Sequence, residues 1–139
     1  MYMSTDGTPQ IVLQDATERI RLELGLDAEN RPGVILRGAD ERIRLSLTLE
    51  EDEYTCLRLR DQRDQLRACL YIAEDTPALN LYDNQEKIRA CVTLEPAEDD
   101  TPYVLLLNKD EQRQMALTVP IDGSEGLLLQ DREGVDRSL

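Results

Sequence analysis

The sequence predicts an all-β fold: six β-hairpin repeats of about 23 residues, or about twelve strands, closed into a pseudo-symmetric prism or trefoil-like ring. Three observations predict it. Apolar and polar residues alternate at period 2 in short stretches, the pattern of strands with one face toward a core and the other toward water. These stretches recur at nearly constant spacing, with polar turns between them. The 139-residue chain also starts and stops partway along the second strand of a repeat. An open single-sheet array of the same hairpins is the alternative, and in either case residues 1–139 form one domain.

The repeats are anchored on Asp15, Gly38, Asp61, Asp83, Asn108 and Asp131, which lie 23, 23, 22, 25 and 23 residues apart. Four and two residues before each anchor stand Ile11/Leu13, Val34/Leu36, Leu57/Leu59, Leu79/Leu81, Val104/Leu106 and Leu127/Leu129. These mark the first strand of each hairpin. A polar turn such as Asp83-Asn-Gln-Glu86 follows. The second strand then carries apolar residues at anchor +5, +7, +9 and +11, as in Ile20-Leu22-Leu24-Leu26, Ile43-Leu45-Leu47-Leu49 and Ile88-Ala90-Val92-Leu94. Leu, Arg and Glu favour helix over Ile20–Leu26, but six copies of a period-2 pattern outweigh that propensity. An acidic loop ends each repeat, often with Pro six residues before the next anchor (Pro9, Pro32, Pro77, Pro102). Pro is tolerated there because the start of a strand needs no ladder donor. The loop Glu95-Pro-Ala-Glu-Asp-Asp-Thr-Pro102 is two residues longer than its counterparts.

Leu139 falls at anchor +8 of the sixth repeat and Met1 at the phase of +9, so the N-terminus supplies the half-strand that the C-terminus lacks. With Met1 and Met3 counted, 21 of the 24 inward second-strand positions are apolar, the exceptions being Arg113, Asp136 and Ser138. Closure of this kind removes sheet edges. The same register would also let the tail of one chain meet the head of the next in a filament.

Composition narrows the chemistry. Sixteen basic side chains against 29 acidic ones give a net charge of −13, which argues against phosphate-backbone binding. With no His in the chain there is no Ser-His-Asp triad, Cys-His pair or His-ligated metal. No long apolar run or signal-peptide pattern occurs, and the three Cys sit among apolar residues, so the expectation is a cytoplasmic protein with free thiols. Cys56 lies across the hairpin from Cys69, where a bridge would depend on turn register, and Cys91 shares anchor +8 with Cys69.

The unit Leu79-Asn-Leu-Tyr-Asp83-Asn-Gln-Glu-Lys-Ile-Arg89 resembles a Leu-x-Leu-x-Asp-x-x-Gly-x-x-Arg-x-x-Leu hairpin repeat seen in many uncharacterised bacterial proteins. The resemblance covers nearly the whole chain and implies the hairpin fold, with no activity attached. Here Glu often replaces the turn Gly, and the fifth repeat has Gln114 in place of Arg. The segment Asn80-Leu-Tyr-Asp83-Asn84 also resembles the strand-turn text of monocot mannose-binding lectins, twelve-stranded prisms. Their sugar motif Gln-x-Asp-x-Asn-x-Val-x-Tyr occurs in none of the repeats.

Three surface features are candidates for function. At anchor −3, an outward position, stand Val12, Ile35, Leu105 and Leu128, flanked by Leu107: an apolar stripe that is either an interface or a second buried layer. At anchor +6 stand Arg21, Arg44, Arg67, Arg89 and Arg137, which could hold an anionic ligand or pair with neighbouring acids. The inter-repeat loops gather 14 acids that would form one rim, solubilising the protein or attracting a basic partner. Carboxylate pairs abound, but none sits beside an aromatic sugar platform. These features point to a non-enzymatic protein-interaction or self-assembly module. No cofactor or metal is implied; the partner would be a protein or the chain itself, not nucleic acid or membrane. A lectin-like carbohydrate or small-ligand binder, or an acidic charge mimic of a basic protein's partner, are the alternatives.

Overall fold

The computed structural model describes residues 2–3, 7–51, 54–95, 100–119, 128–131 and 136–137. They form thirteen strands and no α-helix: β1 (Tyr2–Met3), β2 (Pro9–Gln14), β3 (Ile20–Leu26), β4 (Pro32–Arg37), β5 (Ile43–Leu49), β6 (Thr55–Arg60), β7 (Leu66–Ala73), β8 (Thr76–Tyr82), β9 (Ile88–Glu95), β10 (Thr101–Leu107), β11 (Arg113–Thr118), β12 (Leu128–Asp131) and β13 (Asp136–Arg137). The strands are hydrogen-bonded in chain order. Two compact units divide the chain, Met1–Tyr71 and Ile72–Leu139, and each is an antiparallel meander.

The expected ring closure is corrected. Tyr2 and Met3 form a strand in the expected phase, Met3 facing Pro9 as Leu26 faces Pro32. Asp136 and Arg137 likewise pair with Gln130 and Leu129. Among the described residues β1 has no ladder to β12 and β13 none to β2, so the sheet is not closed and fits the open hairpin array better than the prism. Ladders between sequence neighbours close short loops at little entropic cost, whereas a ladder between the two ends closes a loop of the whole chain. Met1, Ser138 and Leu139, on which closure turned, lie outside the described residues.

The anchor residue explains the repeat. In the first hairpin the Glu18 N–H donates to the Asp15 carbonyl (2.9 Å), and the Asp15 N–H donates to the Arg19 carbonyl (3.0 Å). Glu18 carries a positive φ of 64°, and Glu41, Asp64, Glu86 and Glu111 repeat it at 62°, 67°, 58° and 60°. This is a turn followed by one left-handed residue, a position that normally favours Gly. The anchor side chain helps to hold it. Asp83 Oδ1 accepts the N–H groups of Gln85 (2.8 Å) and Lys87 (3.1 Å), and Asn108 Oδ1 does the same for Asp110 (2.9 Å) and Gln112 (3.0 Å). The second repeat has Gly38 as its anchor, and there Asp40 substitutes: its Oδ1 stands 2.6 Å from where a Cβ on residue 38 would be.

Just beyond four of these turns the ladder slips by one residue. Leu13 faces Leu22 but Gln14 faces Ile20; Leu36 faces Leu45 but Arg37 faces Ile43. The same shift recurs at Leu81/Tyr82 and Leu106/Leu107. The residue left over is Arg21, Arg44, Arg89 or Gln114, the anchor +6 position. A bulge bends its strand and re-aims the extra side chain. It also interrupts the alternation expected from +5 to +11, which holds only from +7 onward.

Burial is the second correction. The large residues read as inward-facing are half-exposed or exposed, with Leu13 at 58%, Leu24 at 44% and Leu106 at 45%. The buried residues alternate with them on the opposite face: Ser46, Cys56 and Cys69 in the first unit, and Ala78, Asn80, Thr101, Ala116 and Thr118 in the second. Period 2 separates two faces but does not state which one the fold covers. Here the small side chains are sheltered, flanked by longer Arg, Glu and Tyr side chains, and the large aliphatic ones are not.

Candidate interaction surface

Each unit has one aliphatic face, built by the positions −4, −2, +7, +9 and +11 of its repeats. Cross-strand pairs fix it: Ile11 faces Leu24, Leu24 faces Val34, Val34 faces Leu47, and Leu47 faces Leu57. In the second unit Leu79 faces Val92, Val92 faces Val104, and Val104 faces Leu117. Among the described residues fifteen large apolar side chains stay between 36% and 58% exposed, and Ile11, Leu36, Leu47, Leu59, Leu79, Val92 and Met115 are among them. Leu24, Val34, Leu47, Leu49 and Thr55 line an apolar hollow of about 250 Å³ in this face of the first unit.

The other face is mixed, and it carries the residues expected to form an apolar stripe. Val12 and Ile35 are half-buried, but Glu23 stands between them, opposite both. Its carboxylate accepts from Arg37 Nη2 at 2.7 Å. Leu105 faces Cys91 on one side and Ala116 on the other, and Leu107 faces Arg113. Leu128 pairs through its backbone with Thr118, and its side chain lies outside the described residues. Between Val12 and Ile35, therefore, the face is interrupted by charge.

The repeated arginines are engaged in holding hairpins together. Arg21 Nη1 lies 3.3 Å from Asp15 Oδ2, and Arg21 Nε donates to the Arg37 carbonyl (3.1 Å), one residue before the next anchor. Arg89 repeats this with Asp83 (3.4 Å) and the Leu107 carbonyl (3.0 Å). Arg44 pairs with Asp40 at 2.6 Å, as Gly38 has no carboxylate, and donates to the Asp61 carbonyl (2.9 Å). The charge of Arg67 contributes to lowering the Asp61 carboxyl against the burial that would raise it. Arg137's side chain is outside the described residues. The Thr17 hydroxyl, the Thr17 and Arg19 N–H groups and Arg21 together hold the Asp15 carboxyl far below the usual carboxylate range.

The inter-repeat acids are similarly tied. Arg31 pairs with Asp27 (2.8 Å) and Glu29 (3.0 Å), and Arg58 pairs with Glu50 (2.6 Å). Arg58 and the Thr48 hydroxyl lower the Glu50 carboxyl. Among the described residues no group of acids or thiols has the geometry of a metal site.

Two features depend on strand register, the first missed in the sequence and the second left open by it. Gly25 and Gly33 face each other on β3 and β4, with Gln10 and Thr48 on the outer flanks, and the missing side chains leave a pit of about 170 Å³ rimmed by Glu23, Arg31, Ile35 and Glu50. In sequence Gly33 reads as a loop residue beside Pro32; only strand register reveals the pair. The other feature is the thiol pair Cys56 and Cys69, whose Sγ atoms are 2.9 Å apart. Burial, then the hydrogen bond with Cys56, pushes the Cys69 thiol up to about 12. Burial and these neighbours likewise push the Tyr54 hydroxyl up to about 12.

The chain matches no protein-family model and no curated protein.

Proposed function

We propose that this chain is a non-enzymatic self-assembly module that seats its aliphatic sheet face against the same face of a second copy. The observation that carries this reading is the row of half-exposed aliphatic side chains that each unit carries on positions that hold no charge. Seven of them belong to the first unit and eight to the second, and within each unit the cross-strand pairs set them side by side, as exposed apolar patches that mark interfaces are.

Charge selects the occupant. The chain bears −13, and two copies would repel wherever their acids met. The aliphatic face is the surface on which a copy can approach its twin without opposing carboxylates. Sheets pack face to face about 10 Å apart with interdigitated side chains, and a two-fold pairing lets one patch serve both partners. The hollow between Leu24 and Leu47 offers a socket for a side chain of the other copy.

Light scattering coupled to size-exclusion chromatography tests the reading on the full chain. The expected result is a dimer or larger assembly that Leu47→Glu, checked by circular dichroism for retained strand content, converts to monomer. A wild-type chain that is monomeric at about 100 μM would overturn it. So would a Leu47→Glu variant that stays folded and fully associated.

A further inference from the structure

We propose that Cys56 and Cys69 form an oxidation site, a buried dithiol that a small hydroperoxide converts to a cross-strand disulfide within the first unit. Cys56 lies on β6 and Cys69 on β7, neighbours in the strand order. The spacing of adjacent antiparallel strands, about 4.5–5.5 Å between opposed Cα atoms, falls within the reach of a disulfide. With the sulfurs 2.9 Å apart, bond formation needs a movement of only about 0.9 Å. Both side chains lie on the mixed face, at 0% and 5% exposure. The paired rings of Tyr54 and Tyr71, with centroids 5.6 Å apart, stand two residues before Cys56 and two after Cys69.

Burial selects the oxidant. A tripeptide disulfide cannot reach sulfurs this covered, whereas hydrogen peroxide is little larger than water. Cys69, the more accessible of the two, attacks the peroxide O–O bond through the small fraction of its thiol that is ionised, so the step is slow at neutral pH and quickens as pH rises. The attack forms a sulfenic acid and releases hydroxide, which takes up the thiol proton as water. The Cys56 sulfur then attacks the sulfenic sulfur: the S–S bond forms, the S–O bond breaks, and a second water leaves. The two thiols lose two electrons and two protons in all, and one peroxide becomes two waters. A dithiol reductant reverses the bond by exchange. The adjacent Cys56 captures the sulfenic acid before a second peroxide can carry it to the irreversible sulfinic state. Cys91, half-buried on β9, has no thiol partner in its unit and stays reduced.

The test treats the native full-length chain with hydrogen peroxide, alkylates the remaining thiols and measures intact mass and tryptic peptides. Arg58, Arg60, Arg63 and Arg67 separate the two cysteines into different peptides, so a bridge is read directly as a linked pair. The expected outcome is a loss of about 2 Da, a fall from three titratable thiols to one, alkylation confined to Cys91, and full reversal by dithiothreitol. Cys91→Ser should leave the bridge unchanged, and Cys56→Ser should divert Cys69 to sulfenic and sulfinic products. A native chain that keeps three thiols under peroxide while its urea-unfolded form oxidises would overturn the proposal. So would a bridge involving Cys91, or sulfinic acid on either sulfur of the wild-type pair.

Discussion

The two facing glycines allow a sharp test of the strand register, because the same substitution should act in opposite directions on adjacent strands. Gly25 and Gly33 are cross-strand partners, and neither has a positive φ, so alanine suits both backbones. Removing a glycine's freedom from the unfolded chain is worth about 0.4–1 kcal/mol in either case. What differs is space. A Cβ on Gly33 would meet Thr48 Cγ2 at 3.4 Å and the Leu47 carbonyl oxygen at 3.5 Å, which is ordinary contact. A Cβ on Gly25 would meet Gln10 Cβ and the Pro9 carbonyl oxygen, both at 3.0 Å, and Gln10 Cα at 3.3 Å. None of these is the free end of a side chain, so β2 itself must shift, at a cost of about 1–3 kcal/mol. Gly33→Ala should therefore stabilise by about 0.5–1 kcal/mol and Gly25→Ala destabilise by about 1 kcal/mol or somewhat more. A gap of about 2 kcal/mol corresponds to roughly 5–8 °C in Tm for a chain of this size. Urea titration and calorimetry on the two variants measure it, with equal m-values confirming that only stability has changed. Equal shifts, or Gly25→Ala the more stable, would refute the pairing of β2 with β3 from which these distances follow.

Two further predictions concern the anchors. Carboxyls held below their usual values in the folded chain, among them Asp15, Asp27 and Asp83, contribute stability that is complete above the ordinary carboxylate pKa and lost as pH falls through the depressed one. Tm should be level from about pH 8 to 5 and fall below about pH 4; a Tm that holds to pH 2 would contradict the anchor role. Asp83→Asn should keep Tm at neutral pH within about 3 °C and flatten its acid decline, because Asn108 already performs the capping with an amide, whereas Asp83→Ala should lower Tm throughout. Thermal melts of the two variants from pH 3 to 8 decide it, and indistinguishable curves would count against side-chain capping.

The hairpins were legible because their signal is local. Strand alternation, the Asp or Asn anchor of five repeats and the Pro that opens four of them all act within a few residues of themselves. The alternative use of the +6 arginines, pairing with neighbouring acids, also follows from short-range chemistry, and Arg21, Arg44 and Arg89 adopt it. The bulge did not announce itself, because a residue left out of a ladder looks in sequence like any other outward position. Glu has no preference of its own for the left-handed backbone at Glu18 and Glu41; the one sign of it in the sequence is that Glu stands there in the place of the resembled repeat's turn Gly. The glycine-floored pit and the Cys56–Cys69 contact needed strand register, which joins residues 8 to 15 positions apart.

Sequence by itself determined the number and order of the hairpins, the residues that turn them and the division of each strand into an aliphatic and a mixed face. Tertiary structure alone decided which face is sheltered, whether the sheet returns to its beginning and which cysteines meet. The physical reason is that backbone alternation sorts side chains by face at no cost in distance, whereas burial, closure and sulfur contact depend on what another strand brings alongside. Val12 and Leu13 are adjacent in the chain and opposite in exposure, and no property of either residue distinguishes the half-buried one from the exposed one.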